Sequence, residues 1–377
     1  MKNIRRNSMK KTQAKMLGLG LAVALSLTAC APSGSDNNGG SSKAVDTAKY
    51  QAVAEKAMAP ITEWPGPVSG PVAKKGAKVM WLSGGLAAEG FAAPAAAAEE
   101  AATVLGWELN VVDGQFDPKV YNRSIEEAID QGYDAIVMNG ITVQAVAESV
   151  KKARAAGIVI GSWDGGNQPA EDGVNYEVTY PVAEQGVALA SYLIWKTDGM
   201  ANAYLTESPE FNVIMEWVGA ARDTFESCSS CTVAGTGQFT AGEVATKVPS
   251  MITSALRADP SINVVIGGYD AAMLAAVPEI RAAGFKEVQI GSFNAIQPMT
   301  QFIRDGDVSA SVAEPYAWGA WATLDNLNRI LSNEETVEQG IPFRLITSNN
   351  VNDIEPDTNW TGDIDFKSYY TAIWTGK

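Results

Sequence analysis

The sequence predicts an α/β protein built as two doubly wound parallel-sheet lobes joined by a three-strand hinge. Three observations carry this. From Lys78 on, short continuous apolar runs alternate with segments of helical amphipathic period, and four such units in series imply parallel strands with crossover helices. The alternation breaks over 168–179 and then resumes for a stretch of similar size. The chain has 377 residues, more than one ordinary core accommodates.

In order, 78–83 reads as a buried strand, 92–105 as an Ala-rich helix stopped by Gly106, and 107–113 as the next strand. The helix over 120–131 precedes a strand at 134–139, and the helix over 143–156 precedes one at 157–163. The second stretch pairs helix 182–196 with strand 201–205, helix 213–225 with strand 232–234, and helix 243–257 with strand 263–267. Helix 271–283 then leads to strand 287–291, helix 298–304 to strand 308–312, and 318–331 is one more helix. The tail from Asn349, rich in Asn, Asp, Trp and Tyr, lacks a clean period and is expected as packed coil. The expected lobes are 77–179 with 315–344, and 180–314 with 345–377, crossing near 179–180, 313–315 and 344–345.

Open parallel sheets bind ligands beyond the carboxyl ends of their strands, and two such lobes place the site in the cleft between them. The residues just past the strands therefore matter most. They include Phe91, Asn139, Trp163, Asp164, Tyr269, Asp270, Asn294 and Glu314. Aromatic rings alternating with amides and carboxylates suit a neutral polyhydroxylated ligand, since rings cover its apolar faces while polar groups take pairs of hydroxyls.

Composition narrows the chemistry. The chain contains no histidine, which removes Ser-His-Asp and Cys-His nucleophile systems, His-ligated zinc and imidazole proton shuttling. With 28 basic against 43 acidic residues the formal charge is −15, and the first 29 residues hold six basic and no acidic ones, so the remainder is more acidic still. Such a surface repels phosphate backbones and anionic headgroups, so no nucleic-acid partner is expected. The Gly84-Gly85 and Gly165-Gly166 pairs fit neither nucleotide-binding fingerprint, and Asp363-Ile364-Asp365 has too few ligands for a calcium loop; no cofactor or metal is expected.

Residues 1–15 are basic, 16–27 form a short apolar run, and small residues precede Cys30. That is the layout of a signal peptide, too short for the roughly 20 residues of a spanning helix. Leu27-Thr28-Ala29-Cys30 resembles the bacterial lipobox, which implies cleavage after residue 29, lipidation of Cys30 and attachment to the cell membrane through that lipid anchor alone; an ordinary secretory signal with Cys30 incidental is the alternative. Residues 30–76 are then expected as anchor and flexible tether, with 31–42 dense in Gly, Ser, Asn and Pro. Two cysteines remain, Cys228 and Cys231. Outside the cytoplasm a local disulfide is expected; a redox-active C-x-x-C wants strand before helix, and here the helix comes first.

At its strand ends the sequence resembles the sugar-type (ribose/galactose-like) class I periplasmic substrate-binding proteins of ABC importers, over about 78–333. Six markers stand in order. Phe91 lies fifteen residues before Gly106, and Asn139 follows the third strand. Ile158 to Asp164 resembles the family's V-I-x-x-D strand, with Asp164 where its sugar-binding aspartate stands. Asp259-Pro260 with Tyr269-Asp270 resembles its P-D/S-I…N-D segment, Ser292-Phe293-Asn294 its G-F-D turn, and Ala313-Glu314 its A-Q strand end. The departures are Gly165 for an arginine, Tyr269 for an asparagine, Asn294 for an aspartate and Glu314 for a glutamine, with no arginine between Met215 and Phe225 aligning with the family's second clamp. Losing cationic donors while keeping acids favours a ligand rich in hydroxyl or amine donors over a carboxylate or phosphate.

The resemblance implies a monomeric solute-binding lipoprotein that captures a monosaccharide or polyol and presents it to an ABC permease. A sensory binding protein for a signalling molecule or small aromatic on the same fold is the alternative. A carboxylate-pair glycosidase would need no histidine, yet hydroxyl recognition requires the same acids, so no enzyme is expected. Plainer roles stand beside the site roles: a turn or cap for Asp164, an N-cap for Asp270, core packing for Phe91 and Trp163.

Overall fold

The structure, a computed structural model, describes residues 47–377; the expected signal segment, Cys30 and the tether up to residue 46 lie outside the described residues. After α1 (Ala48–Met58) the first sheet collects β1 (Lys78–Ser83), β2 (Glu108–Asp113), β3 (Ala135–Asn139), β4 (Val159–Trp163) and β5 (Tyr176–Val178) in the order β2-β1-β3-β4-β5, all parallel. Its crossovers are α2 (Glu89–Leu105), α3 (Pro118–Asp130) and α4 (Val143–Ala155). Both sheet faces are covered: Val79 and Trp81 join one core and Met80 and Leu82 another, which is why β1 reads as a continuous apolar run.

The second sheet holds β6 (Asn202–Glu207), β7 (Thr232–Gln238), β8 (Val264–Ile266), β9 (Gln289–Asn294), β10 (Ala310–Ala313) and β11 (Arg344–Thr347) in the order β11-β10-β9-β8-β6-β7. Only β11 runs antiparallel to its neighbour. Its helices are α5 (Val182–Lys196), α6 (Asn212–Glu226), α7 (Val244–Ala258), α8 (Asp270–Ala282) and α9 (Gln297–Asp305). Both parallel cores repeat one strand order, in which the first strand of the lobe sits second and the chain reverses direction beside it. That reversal opens a crevice at the carboxyl ends of β1 and β3 in one lobe and of β6 and β8 in the other. Register aligns these ends, with Ser83 opposite both Asp113 and Asn139, and Asn139 opposite Trp163.

Between β1 and β11 the chain crosses from lobe to lobe three times, β5 to α5, β10 to α10 (Tyr316–Leu331) and α10 to β11, and the two terminal segments cross again. Helix α10 lies in the first lobe, where Trp318 and Trp321 share a core with Trp81, Ala98 and Leu105. Both termini depart from expectation. Within the span expected as tether, α1 is a helix whose Tyr50 and Ala54 are buried in the second lobe's core, and Trp64 stacks on Trp318 at 5.1 Å and on Tyr369 at 4.3 Å. The tail is not coil throughout: α11 (Phe366–Thr375) begins at Asp365, whose carboxylate caps the Ser368 amide, and ends at left-handed Gly376.

Nor does that helix stay with the second lobe, where residues 345–377 were placed. Phe366, Tyr370 and Trp374 are buried in the first lobe's core, and Trp374 donates from Nε1 to Asp325 of α10 at 2.9 Å. Burial of three aromatic rings against α10 outweighs the low helix propensity of the segment. Arg344 ties the two terminal segments together, donating to the Met58 carbonyl and pairing with Asp353 and Asp363, while Asp363 also accepts from the Ile61 amide at 2.8 Å.

Cys228 and Cys231 form a disulfide with Cα atoms 5.2 Å apart, between the end of α6 and the start of β7. Among the described residues no helix is long and apolar enough to cross a membrane.

Candidate ligand cleft between the lobes

The aligned strand ends of both sheets open on one cavity of about 220 Å³. Phe91 and Phe116 from the first lobe meet edge to face at 5.3 Å, and Phe91 lies 6.1 Å from Phe211 of the second lobe. Phe211 continues the wall to Tyr269 at 6.3 Å. Trp217, on the second turn of α6, lines the cavity while stacking on Phe293 at 4.6 Å, and its Nε1 donates to the Gly268 carbonyl at 2.9 Å. The lobes touch beside it: Asn212 Nδ2 donates to the Gly166 carbonyl at 3.2 Å, and a Cβ added to Gly166 would fall 2.6 Å from that of Asn212. Gly166 is thus the residue that lets the lobes close here.

Of the strand-end residues, Phe91, Asn139, Asp164, Tyr269 and Asn294 line the cavity. Phe91 belongs to the first turn of α2, which starts one turn earlier than its sequence suggests because Ala88 precedes it with no side-chain cap to mark the boundary. Asp164 stands just after β4 with φ +53, a conformation in which Asp is better tolerated than bulkier residues. Its Oδ1 accepts from Thr179 Oγ1 at 2.9 Å. Burial, with a contribution from the Glu216 charge, pushes its carboxyl up to about 6 despite that hydrogen bond. Asn139 is 1% exposed and its Oδ1 has no hydrogen-bond partner.

Three other expected site residues are off the wall. Trp163 is buried in the first core, edge-on to Tyr180 at 5.0 Å and pressed against Gly319, where a Cβ would come within 1.8 Å of its ring. Both carboxylate oxygens of Asp270 are engaged by its own chain, accepting from the Ile296 amide at 2.9 Å and Ser311 Oγ at 3.0 Å; burial raises it to about 7. It fastens α8 to the start of α9 and to β10. Glu314 sits one layer behind the wall, accepting from Asn294 Nδ2 at 2.8 Å and Gln185 Nε2 at 3.1 Å, and burial together with the Asp164 charge holds it well above the usual carboxylate range.

Other wall residues stand near strand ends too, Tyr316 as the last residue of the 313–316 segment at the end of β10. Phe116 follows β2 in a turn where it and Gln115 both have positive φ, Phe211 is the residue before α6, and Tyr316 opens α10. Tyr316 is buried and its hydroxyl has no partner within the protein. Glu177 of β5 was missed. It accepts from the Gly165 and Gly166 amides at 2.8 and 3.1 Å, so it holds the loop carrying Asp164, and burial raises it to about 7.

Residues 84–335 match the family model described as periplasmic binding protein domain. The chain is 25% identical over 228 residues to the ribose import binding protein of Bacillus subtilis, covering 60% of this chain and 72% of that protein. To the D-apiose import binding protein of Actinobacillus succinogenes it is 24% identical over 282 residues, covering 69% and 84%. Among solved structures, the Caulobacter myo-inositol binding protein with bound myo-inositol superposes with a TM-score of 0.67 at 19% identity, covering 79% of this chain and 98% of that one. An ABC transporter solute binding protein from Agrobacterium vitis with bound allitol gives 0.66 at 20% identity, covering 74% and 98%. With two doubly wound lobes, a cleft at their facing strand ends and the family's domain model matched over most of its length, the chain belongs to the periplasmic binding protein family.

Proposed function

We propose that this protein is the extracytoplasmic solute-binding component of an ABC importer, tethered through a lipid on Cys30, and that its cleft captures a small polyhydroxylated molecule such as a monosaccharide or polyol. The observation that carries the reading is the cavity's make-up: aromatic rings from both lobes enclose a floor where the Asn139 Oδ1 and Tyr316 hydroxyl, both buried, have no protein partner. Unpaired buried polar atoms are costly, and a ligand with several hydroxyls satisfies them. The relatives named for ribose and D-apiose import, and the neighbours holding myo-inositol and allitol, support the same class.

The mechanism is conformational rather than catalytic. Ligand contacts made by both lobes favour the closed arrangement, in which Phe91 reaches Phe211 and Asn212 reaches Gly166, and the closed form is what a permease would recognise. A thermal-shift screen of the purified protein against pentoses, hexoses, polyols, disaccharides, small aromatic acids and amino acids tests the reading, since a ligand that binds the native state raises the melting point by mass action. A monosaccharide or polyol hit is expected; hits confined to aromatics or amino acids would overturn the ligand class.

A further inference from the structure

We propose that the ligand carries a protonated amino group beside its hydroxyls, an amino sugar or amino polyol, with the ammonium held by Asp164 and the Asn139 amide oxygen. This rests on the sugar or polyol reading of the cleft and narrows it. The first observation is charge. The cavity wall includes two carboxylates, Glu89 and Asp164, and no lysine or arginine. Arg222 on α6 is turned to Glu207 and Thr236, where it is already paired. A carboxylate largely withdrawn from water, as Asp164 is, is costly without a cation beside it, and a cation in the cavity would offset that cost.

The second observation is the sense of the hydrogen bonds. Asn139 Oδ1 is an acceptor with no donor, and Asn294, the other amide on the wall, donates to Glu314 behind it. The floor therefore holds two unsatisfied polar atoms, the Asn139 oxygen, which can only accept, and the Tyr316 hydroxyl, which can donate or accept. A hydroxyl both donates and accepts, whereas an ammonium has three donors and no acceptor and can donate to both. The third is the wall. Phe91, Phe211 and Trp217 surround the same space, and aromatic faces attract a cation where water is excluded. Burial raises the Asp164 carboxyl, and a cation beside it would favour the ionised form and gain a charge-assisted hydrogen bond.

The test compares matched pairs by calorimetric titration of the purified protein: D-glucosamine with D-glucose, D-galactosamine with D-galactose, and D-glucamine with sorbitol, plus phenethylamine as an amine without hydroxyls. At least one amine is expected to bind about ten-fold or more tightly than its neutral partner. Asp164→Asn keeps the shape of the side chain, and that preference should vanish while the melting point of the free protein stays level or rises. Neutral members binding as well as or better than their amines would overturn the amine inference and leave the sugar reading standing. Binding of phenethylamine alone would overturn the sugar reading and the amino sugar inference with it, and silence from every compound would overturn the inference while the thermal-shift screen decides the sugar class. An amine preference that survives Asp164→Asn would remove Asp164 as its source.

Discussion

The two faces of the cleft are chemically unlike. The first lobe contributes Glu89, Asn139 and Asp164, with Phe91 and Phe116 as its rings; the second contributes Phe211, Val213, Ile214, Trp217, Val244, Tyr269 and Ile296, with Asn294 as its one amide. Directional, charge-assisted contacts fix how a ligand sits, and they lie almost wholly on the first lobe. Apolar area, which is non-directional, lies mainly on the second. Under the proposed function, this division would have the first lobe orient the ligand and the second cover it and exclude water.

Removing the first lobe's anchor breaks that division most severely. Asp164→Ala should weaken binding by about a hundred-fold, the upper range for a hydrogen bond to a charged group, with the far-ultraviolet circular dichroism unchanged because the carboxylate sits at a strand end and not in a core. Titration of the variant checks this, and unchanged affinity would take Asp164 out of the site. On the opposite face, Phe211→Ala should cost roughly ten-fold through lost apolar contact and slow closure, without changing the rank order of ligands. A reversed rank order would show the second lobe choosing the ligand.

The buried acids sharpen the comparison through pH. Asp164, Glu177 and Asp270 have folded-state carboxyls raised to about 6, 7 and 7. Between about pH 4 and 7 the folded state therefore binds more protons than the unfolded chain, so stability falls as pH rises through that window. The melting point of the free protein should be higher at pH 5 than at pH 7.5, and a ligand supplying a cation should shrink the difference. A melting point that rises over the same interval would mean that other groups, carboxylates that are stabilised when ionised, dominate.

The smallest effect is expected far from the cleft. The Cys228–Cys231 bond closes a loop with only two residues between the cysteines, so it restricts the unfolded chain little. Reduction should lower the melting point modestly and leave ligand choice untouched. Loss of binding at constant stability would give the pair a functional role.

What could be read from the sequence follows the same physical divide. The buried parallel strands announce themselves because both sheet faces are covered, as at β1 and β3, and the strand-end rule then finds Phe91, Asn139, Asp164, Tyr269 and Asn294 on the wall. Strand β7 runs past the expected 232–234, where Gly235 and Gly237 look like breaks in the sequence, and β5, three residues long, lies in an irregular stretch with no strand pattern. Helix α1 buries only Tyr50 and Ala54, too thin a stripe to show a period. Helix α11 is rich in Phe, Tyr, Ser and Thr, so tertiary packing and not local preference makes it helical. At the site, Trp217 is a helix residue whose facing depends on how the second lobe packs. Asp270 and Trp163 sit at strand ends and yet serve their own chain, since position at a strand end places a residue near the cleft without deciding which way its side chain turns.

The most direct test of the account is a crystal structure of the protein with the strongest stabilising ligand from the thermal-shift screen. Density is predicted between the lobes, with a polar group of the ligand within hydrogen-bond distance of Asp164 and Asn139 and an apolar face against Trp217 and Phe211. Ligand density away from this cavity, or a ligand whose polar groups all face the second lobe, would contradict it.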